Sequence, residues 1–308
     1  MSDKHIIYKY KDGGIKPYAV KKFVPNWFYV ENLTNANNSL MIKKYNSSAP
    51  SITIEYSFNG VQWKRLGTTS TSYLSVTIPA NSKVYLRCKT NTWKGNFPNK
   101  ITCPANFGIG GNVLSLFYGD EFTGSEKTIP DGGNFAEVFS ECSTLITCEN
   151  LLLPEDASNT YAFSHLFTSC RYLTTAFSNL PTTKYGYSSF DSMFYGCTSL
   201  VNVSFTLTSR EAGSQSFHDM FYGCTSLTSS PLLDITGTTT NSYTFERMFY
   251  GCSNLSNITC LGFPSNGQPF ENWVSGVAAT GTFTKSANVT QWTTGVNGIP
   301  SGWTVVDV

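Results

Sequence analysis

From residue 135 onward the apolar positions fall on a fixed period. Five units begin with a phenylalanine at Phe135, Phe163, Phe190, Phe217 and Phe245. Four residues later each has a second, at Phe139, Phe167, Phe194, Phe221 and Phe249. Three residues further on stands a cysteine (Cys142, Cys170, Cys197, Cys224, Cys252), and three beyond that a leucine (Leu145, Leu173, Leu200, Leu227, Leu255). Successive cysteines are 28, 27, 27 and 28 residues apart. On a 3.6-residue helix these offsets fall within about a third of the circumference, which predicts one short helix per unit with a single apolar stripe. A helix so short buries its stripe only against a neighbour, so the units are expected to stack with a continuous core. The apolar runs that follow the leucines, such as Leu151–Leu153 and Val201–Leu207, predict one short strand per unit, aligned into a parallel sheet. Pro154, Pro181 and Pro231 are expected to end or bend those strands.

Upstream the period changes to two. Ile52–Phe58, Val61–Trp63, Tyr73–Ile78 and Val84–Arg87 read as strands, separated by Asn59-Gly60, Pro79 and Asn81. Asn-Gly between two such runs is a hairpin signal. This predicts a small β-sandwich over residues 26–105, preceded by an anchor or tail at 1–25 whose Lys/Tyr-rich part runs from Lys4 to Lys22. A solenoid is expected over 106–270, with its five units at 135–262 and an atypical first turn at Phe107–Phe122. The cysteine motif is missing from 271–308, where Trp273, Trp292 and Trp303 predict a degenerate turn plus hairpin capping the array.

The octapeptides MFYGCTSL (Met193–Leu200 and Met220–Leu227) and MFYGCSNL (Met248–Leu255) recur in phase, with looser copies VFSECSTL from Val138 and LFTSCRYL from Leu166. They resemble the BspA-like leucine-rich repeats of Bacteroidales surface proteins, over about half the chain. The resemblance implies a curved solenoid used for adhesion, with the ligand left open. The segment before the repeats looks like the module that precedes them in gut-bacterial surface and phage proteins. The fold class expected is therefore mixed and β-rich with short helices: an N-terminal small β-sandwich followed by a BspA-like leucine-rich repeat solenoid.

Composition narrows the role. Charged residues make up 13% of the chain, against ~25% in ordinary globular domains, so Ser, Thr, Asn, Gly and Tyr must cover the surface. A net charge of +1 provides no footprint for nucleic acid, and no apolar run suggests membrane insertion. The first twenty residues lack the apolar core of a signal peptide. With Met1 in place, this favours a protein carried on a phage particle, as a tail or head fibre or spike component. The alternative is a secreted or cell-surface bacterial adhesin. Partners expected are other virion proteins, further copies of the chain, and a bacterial surface glycan or protein.

No catalytic, cofactor-binding or metal-ligating residues are expected. The nine cysteines form no close pairs, and the periodic column reads as small hydrophobes in tight sites. His5 falls in the expected tail, neither His165 nor His218 has a nucleophile or carboxylate partner by motif, and Asp120-Glu121 and Asp131 are too sparse for a calcium loop. The glycine cluster Gly108–Asn112 reads as a tight corner. A glycan-degrading enzyme would need a pair of carboxylates facing a cleft, and no spacing here supports one. The sharpest binding candidate is a column of tyrosines, Tyr195, Tyr222 and Tyr250. On a helix these would point away from the buried stripe and form an exposed ladder able to contact a ligand or partner.

Overall fold

The computed structural model describes residues 7–11, 14–18, 26–44, 47–48, 50–89, 97, 99–130, 132–181, 184–208, 211–236, 239–241, 243–265 and 269–308. His5 and Asp131 lie outside them. Strands β1 (Ile7–Lys11) and β2 (Gly14–Tyr18) form an antiparallel pair of their own. Eight more strands precede the repeats: β3 (Tyr29–Asn32), β4 (Asn38–Lys44), β5 (Thr53–Ser57), β6 (Lys64–Thr68), β7 (Leu74–Ile78), β8 (Lys83–Cys88), β9 (Asn99–Thr102) and β10 (Phe107–Asn112). The first repeat contributes β11 (Leu145–Leu152).

These make a six-stranded sheet in the order β11-β10-β3-β8-β5-β6 and a three-stranded sheet in the order β7-β4-β9. Period-two burial is clearest in β8, where Val84, Leu86 and Cys88 are buried and the residues between them are half-exposed. Leu40, Ile42, Ile78 and Ile101 from one sheet and Val30, Ile54 and Leu86 from the other belong to one continuous core. The Asn-Gly signal is met: β5 and β6 pair antiparallel, and Asn59 Oδ1 accepts from the Val61 and Gln62 amides in the connection. Val61–Trp63, expected as a strand, lies in that connection instead.

Strand β10 is the junction. One edge pairs antiparallel with β3 and the other parallel with β11, so the repeat array continues a sheet of the N-terminal region. The glycine cluster that reads as a corner is this strand. A Cβ on Gly110 would strike the Tyr29 ring, and one on Gly111, at φ +76°, would strike the Trp27 carbonyl. Close backbone approach, rather than a turn, accounts for these glycines.

Beyond β10 the chain winds into a β-solenoid of about four turns. Parallel pairing runs from Thr147 to Thr175 to Asn202, then through β12 (Thr206–Thr208), β14 (Ser229–Asp234) and β16 (Asn257–Cys260). A second parallel line runs Ala157–Tyr185–Ala212 and includes the pair β13 (Glu211–Ala212) and β15 (Thr239–Thr240). Pro231 lies inside β14 instead of ending it, and the register against β16 shifts across Ser229–Leu232 to accommodate it.

The predicted helices are absent from the repeats. Among the described residues the helical segments are the four-residue α1 (Ser115–Tyr118) and the 3-10 turn Gly119–Glu121 that follows it. The Phe-x-x-x-Phe-x-x-Cys segments are instead ribbons of consecutive turns. Three positions per ribbon, four residues apart, are left-handed: Tyr161, His165 and Ser169 in one unit, and Tyr243, Arg247 and Gly251 in another. Amide groups alternate in use. Leu166 N donates to Phe163 O and Cys170 N to Phe167 O within the ribbon, while His165 N and Phe167 N donate across to Asp191 O and Met193 O of the next. The spacing that suggests an apolar helical stripe equally serves this ribbon, because both place residues four apart on one side. The inter-ribbon bonds satisfy backbone groups that the ends of so short a helix would leave open.

The stripes become ladders. The first phenylalanines, ending on Phe270, stack 5.2–5.8 Å apart with ring planes 6–19° from parallel. The second set stacks at 5.5–5.7 Å and ends on a tilted Trp273. Each buried ring contributes roughly 1.5–3 kcal/mol of transfer free energy. The C-terminal end adds a further ribbon, with Phe249 N donating to Trp273 O, followed by β17 (Thr282–Lys285) and β18 (Thr304–Asp307). Both pair parallel with what precedes them, so the expected terminal hairpin is replaced by two more rungs.

Candidate functional site

The tyrosine column emerges from the ribbons, not from helices. Tyr195, Tyr222 and Tyr250 each follow the second phenylalanine, whose ring turns inward, and all three are half-buried. Tyr195 and Tyr222 stack at 4.7 Å with planes 10° apart, and Tyr222 and Tyr250 at 4.8 Å and 7°. That separation is the spacing of hydrogen-bonded strands, so the ladder simply inherits the rise of the backbone. Mutual stacking covers the inner ring faces. The ladder therefore presents ring edges and a row of phenol groups rather than a free aromatic plane. Burial first, then the phenols of Tyr195 and Tyr250, hold Tyr222 above its ordinary value.

Beside the ladder lies a charged cluster that motif reading misses. His218 Nδ1 lies 2.9 Å from Asp191 Oδ1 and 3.7 Å from Asp219 Oδ2, and its Nε2 lies 3.8 Å from Glu246. Arg247 donates from Nε and Nη2 to the two Asp219 oxygens, both at 2.8 Å, and its Nη2 also lies 3.0 Å from His218 Nε2. His165 stands 3.9 Å from the other Asp191 oxygen. Burial disfavours the His218 imidazolium. The Asp191 hydrogen bond and the Asp219 charge outweigh that effect and the opposing Arg247, so its value is raised. Asp191 and His218, like Asp219 and Arg247, occupy equivalent positions in consecutive units. Reading the sequence across the period, rather than along it, brings each pair together.

The cysteine column is internal. Cys170, Cys197, Cys224 and Cys252 donate from Sγ to the carbonyl oxygens of Phe139, Phe167, Phe194 and Phe221, one ribbon back, at 3.0–3.1 Å. All nine cysteines are buried free thiols. Burial pushes Cys142 and Cys252 up to about 12 and raises Cys170, Cys197 and Cys224 well above the ordinary thiol value. Among the described residues no group of three or more His, Cys, Asp or Glu could hold a metal ion, and no helix is long and apolar enough to cross a membrane.

The ladder and cluster offer phenol donors, ring edges, and carboxylates already engaged by His218 and Arg247. Two further exposed tyrosines, Tyr161 and Tyr187, pack edge to face at 5.6 Å near the starts of their ribbons. Motif reading did not single them out because they are off the cysteine-phased columns. The chain matches no protein-family model, no curated protein sequence and no solved structure.

Proposed function

We propose that this is a non-enzymatic structural and host-recognition component of a phage particle, a fibre or spike element that displays a repeat-built surface to a bacterial glycan or protein. In this reading the two N-terminal sheets are a small β-sandwich and the array is a leucine-rich repeat solenoid of the BspA-like kind. Residues 1–25 dock the chain on other virion proteins or on further copies of itself. The observation that carries the reading is the tyrosine ladder with its adjoining charged cluster. Side chains from successive units are held in register on the outer side of the ribbons, apart from the buried phenylalanine, cysteine and leucine columns. Asp191, Asp219 and Glu246 face His218 and Arg247 instead of converging as a free pair across a cleft, which supports recognition over glycan hydrolysis. The octapeptide resemblance supports the second reading, a secreted or cell-surface bacterial adhesin, with the same fold and a different location.

Peptide mass spectrometry on density-purified particles and on washed cell envelope separates the two. Abundant peptides of this chain in particles are expected; peptides confined to the envelope would leave the adhesin. The combined variant Tyr195→Ala/Tyr222→Ala/Tyr250→Ala tests the surface, with loss of attachment to host cells expected and parental attachment counting against the ladder.

A further inference from the structure

The C-terminal end of the array carries a cleft of about 510 Å³ that the ladder does not use. Its walls come from two places. The last ribbon supplies Phe270, stacked on Phe245 at 5.2 Å, and Glu271; the segment after β17 folds back to add Gln291, Trp292 and Asn297. Phe263 completes the lining on the apolar side. The fold-back is firmly tied. Trp273 Nε1 donates to Gly298 O at 2.8 Å, Asn272 N donates to Asn297 Oδ1 at 2.7 Å, and Trp292 stacks on Trp273 at 5.5 Å and 16°. Trp292 also meets Phe263 edge to face at 4.9 Å. Both Trp292 and Phe263 keep exposed ring surface, while Phe270 is buried.

The polar groups around these rings are unspent. Glu271 and Gln291 are exposed, and their side chains make no hydrogen bond to a described residue. Asn297 uses its oxygen on Asn272 and leaves its Nδ2 donor free. Among the described residues the lining contains one carboxylate and no Lys, Arg or His, which disfavours an anionic ligand. It carries more amide donors and acceptors than a methylated ammonium group can engage. An apolar floor of rings with a rim of amides and one acceptor carboxylate suits a molecule with C–H faces and many hydroxyls.

We infer that this cleft binds one or two residues of a neutral hexose-type saccharide. The C–H face lies on Trp292, whose ring stands 83° to that of Phe263, so Phe263 closes the side of the sugar, and the hydroxyls bond Glu271, Gln291 and Asn297. The site is preformed and belongs to the terminal rungs, so it operates whether the chain is displayed on a particle or on a cell.

Saturation-transfer NMR on the full chain with glucose, galactose, mannose, maltose, cellobiose and lactose, each at millimolar concentration, tests it. Transfer to the ring protons of at least one sugar is expected. The exposed double variant Glu271→Ala/Gln291→Ala, which leaves the packed rings untouched, is expected to weaken that binding about tenfold or more. Trp292→Ala, checked for folding by its circular dichroism, is expected to abolish it. The inference is overturned if no sugar shows transfer, if choline binds and no sugar does, or if binding survives both cleft variants. It is equally overturned if binding is lost instead in the tyrosine-ladder triple variant, since the sugar site would then lie on the ribbons.

Discussion

The N-terminal sheets and the repeat array solve the same backbone problem with opposite topologies. In the sheets a residue's partners are scattered along the chain: Val30 faces Val84 on one side and Ile109 on the other. In the array a partner lies either within the same ribbon or one unit away: Phe167 N finds Met193 O, and Phe194 N finds Met220 O. A defect in the sheets therefore disturbs pairings from distant parts of the chain. A defect in the array is felt by two neighbouring rungs and passed on only through them, as expected for a quasi-one-dimensional solid.

The strongest way to break this contrast is to remove a ring from the middle of a ladder. Phe221, stacked at 5.5 Å on both Phe194 and Phe249, is expected to cost about 3–5 kcal/mol when changed to Ala, and Leu86→Ala in the sheets about 2–5 kcal/mol. Urea denaturation measures the size, and hydrogen exchange locates it. Phe221→Ala is expected to expose the ribbons of Phe194 and Phe249 before β3 and β8, and Leu86→Ala the reverse. A uniform rise in exchange would erase the distinction.

Backbone approach between rungs gives the next largest effect. A Cβ on Gly213 would lie 2.6 Å from Gly186 C and 2.8 Å from Tyr187 N, both main-chain atoms. Gly213→Ala is expected to cost about 1–3 kcal/mol by thermal denaturation. Gly132→Ala, where the added atom meets nothing, should show only the φ penalty of a left-handed residue, about 1 kcal/mol.

Smaller still is the reverse change in a ribbon. Ser169 is left-handed at φ 59°, at the position where later units have Gly196, Gly223 and Gly251. Ser169→Gly is expected to change stability by less than about 1 kcal/mol, in the stabilising direction, since relief of strain there exceeds the added unfolded-state entropy. The buried thiols sharpen the comparison without a mutation. None of the nine should react with a thiol-specific reagent at neutral pH until the chain unfolds, because each is buried and protonated. A fast-reacting thiol would identify a rung that opens locally.

The smallest effect concerns pH. His218 has a folded value above the ordinary imidazole value of about 6.5. Its stabilising contribution is complete below that pH and is lost as pH rises through the raised value. His218→Gln should flatten the slope of stability against pH in that window while leaving the high-pH end near the parent. An unchanged slope would show that Asp191 and Asp219 do not favour the imidazolium.

The repeat, its period and the buried phenylalanine, cysteine and leucine columns were legible in the sequence because each unit restates them. The ribbon was not, because residues four apart share a side in both a helix and a chain of turns. A contrary signal was present: glycine stands just before the cysteine in three units, at Gly196, Gly223 and Gly251. Glycine inside a helix costs about 1 kcal/mol relative to alanine, whereas at φ near +70° it is the favoured residue. Of the candidate surface, the tyrosine column was legible but its stacking was not, since that depends on the rise between rungs. Most of the His218 cluster was hidden because Asp191, Glu246 and Arg247 sit a whole unit away from it in the sequence. The strands β3 and β4 were not resolved individually, lying where alternation is weak and turn residues are dense.

The parallel pairing that runs from β10 to β18 also decides how the molecule bears load. Tension between those two strands acts along the stack, where the hydrogen bonds of successive rungs are in series. A rung that yields gives up its bonds to both neighbours, while the rungs beyond them stay paired. Each such event frees a unit of about 27 residues, or about 90 Å of extended chain. The array would lengthen by many times its own rise per rung while the remaining rungs keep their shape, paying out slack in fixed steps and behaving as a shock absorber rather than a rigid strut.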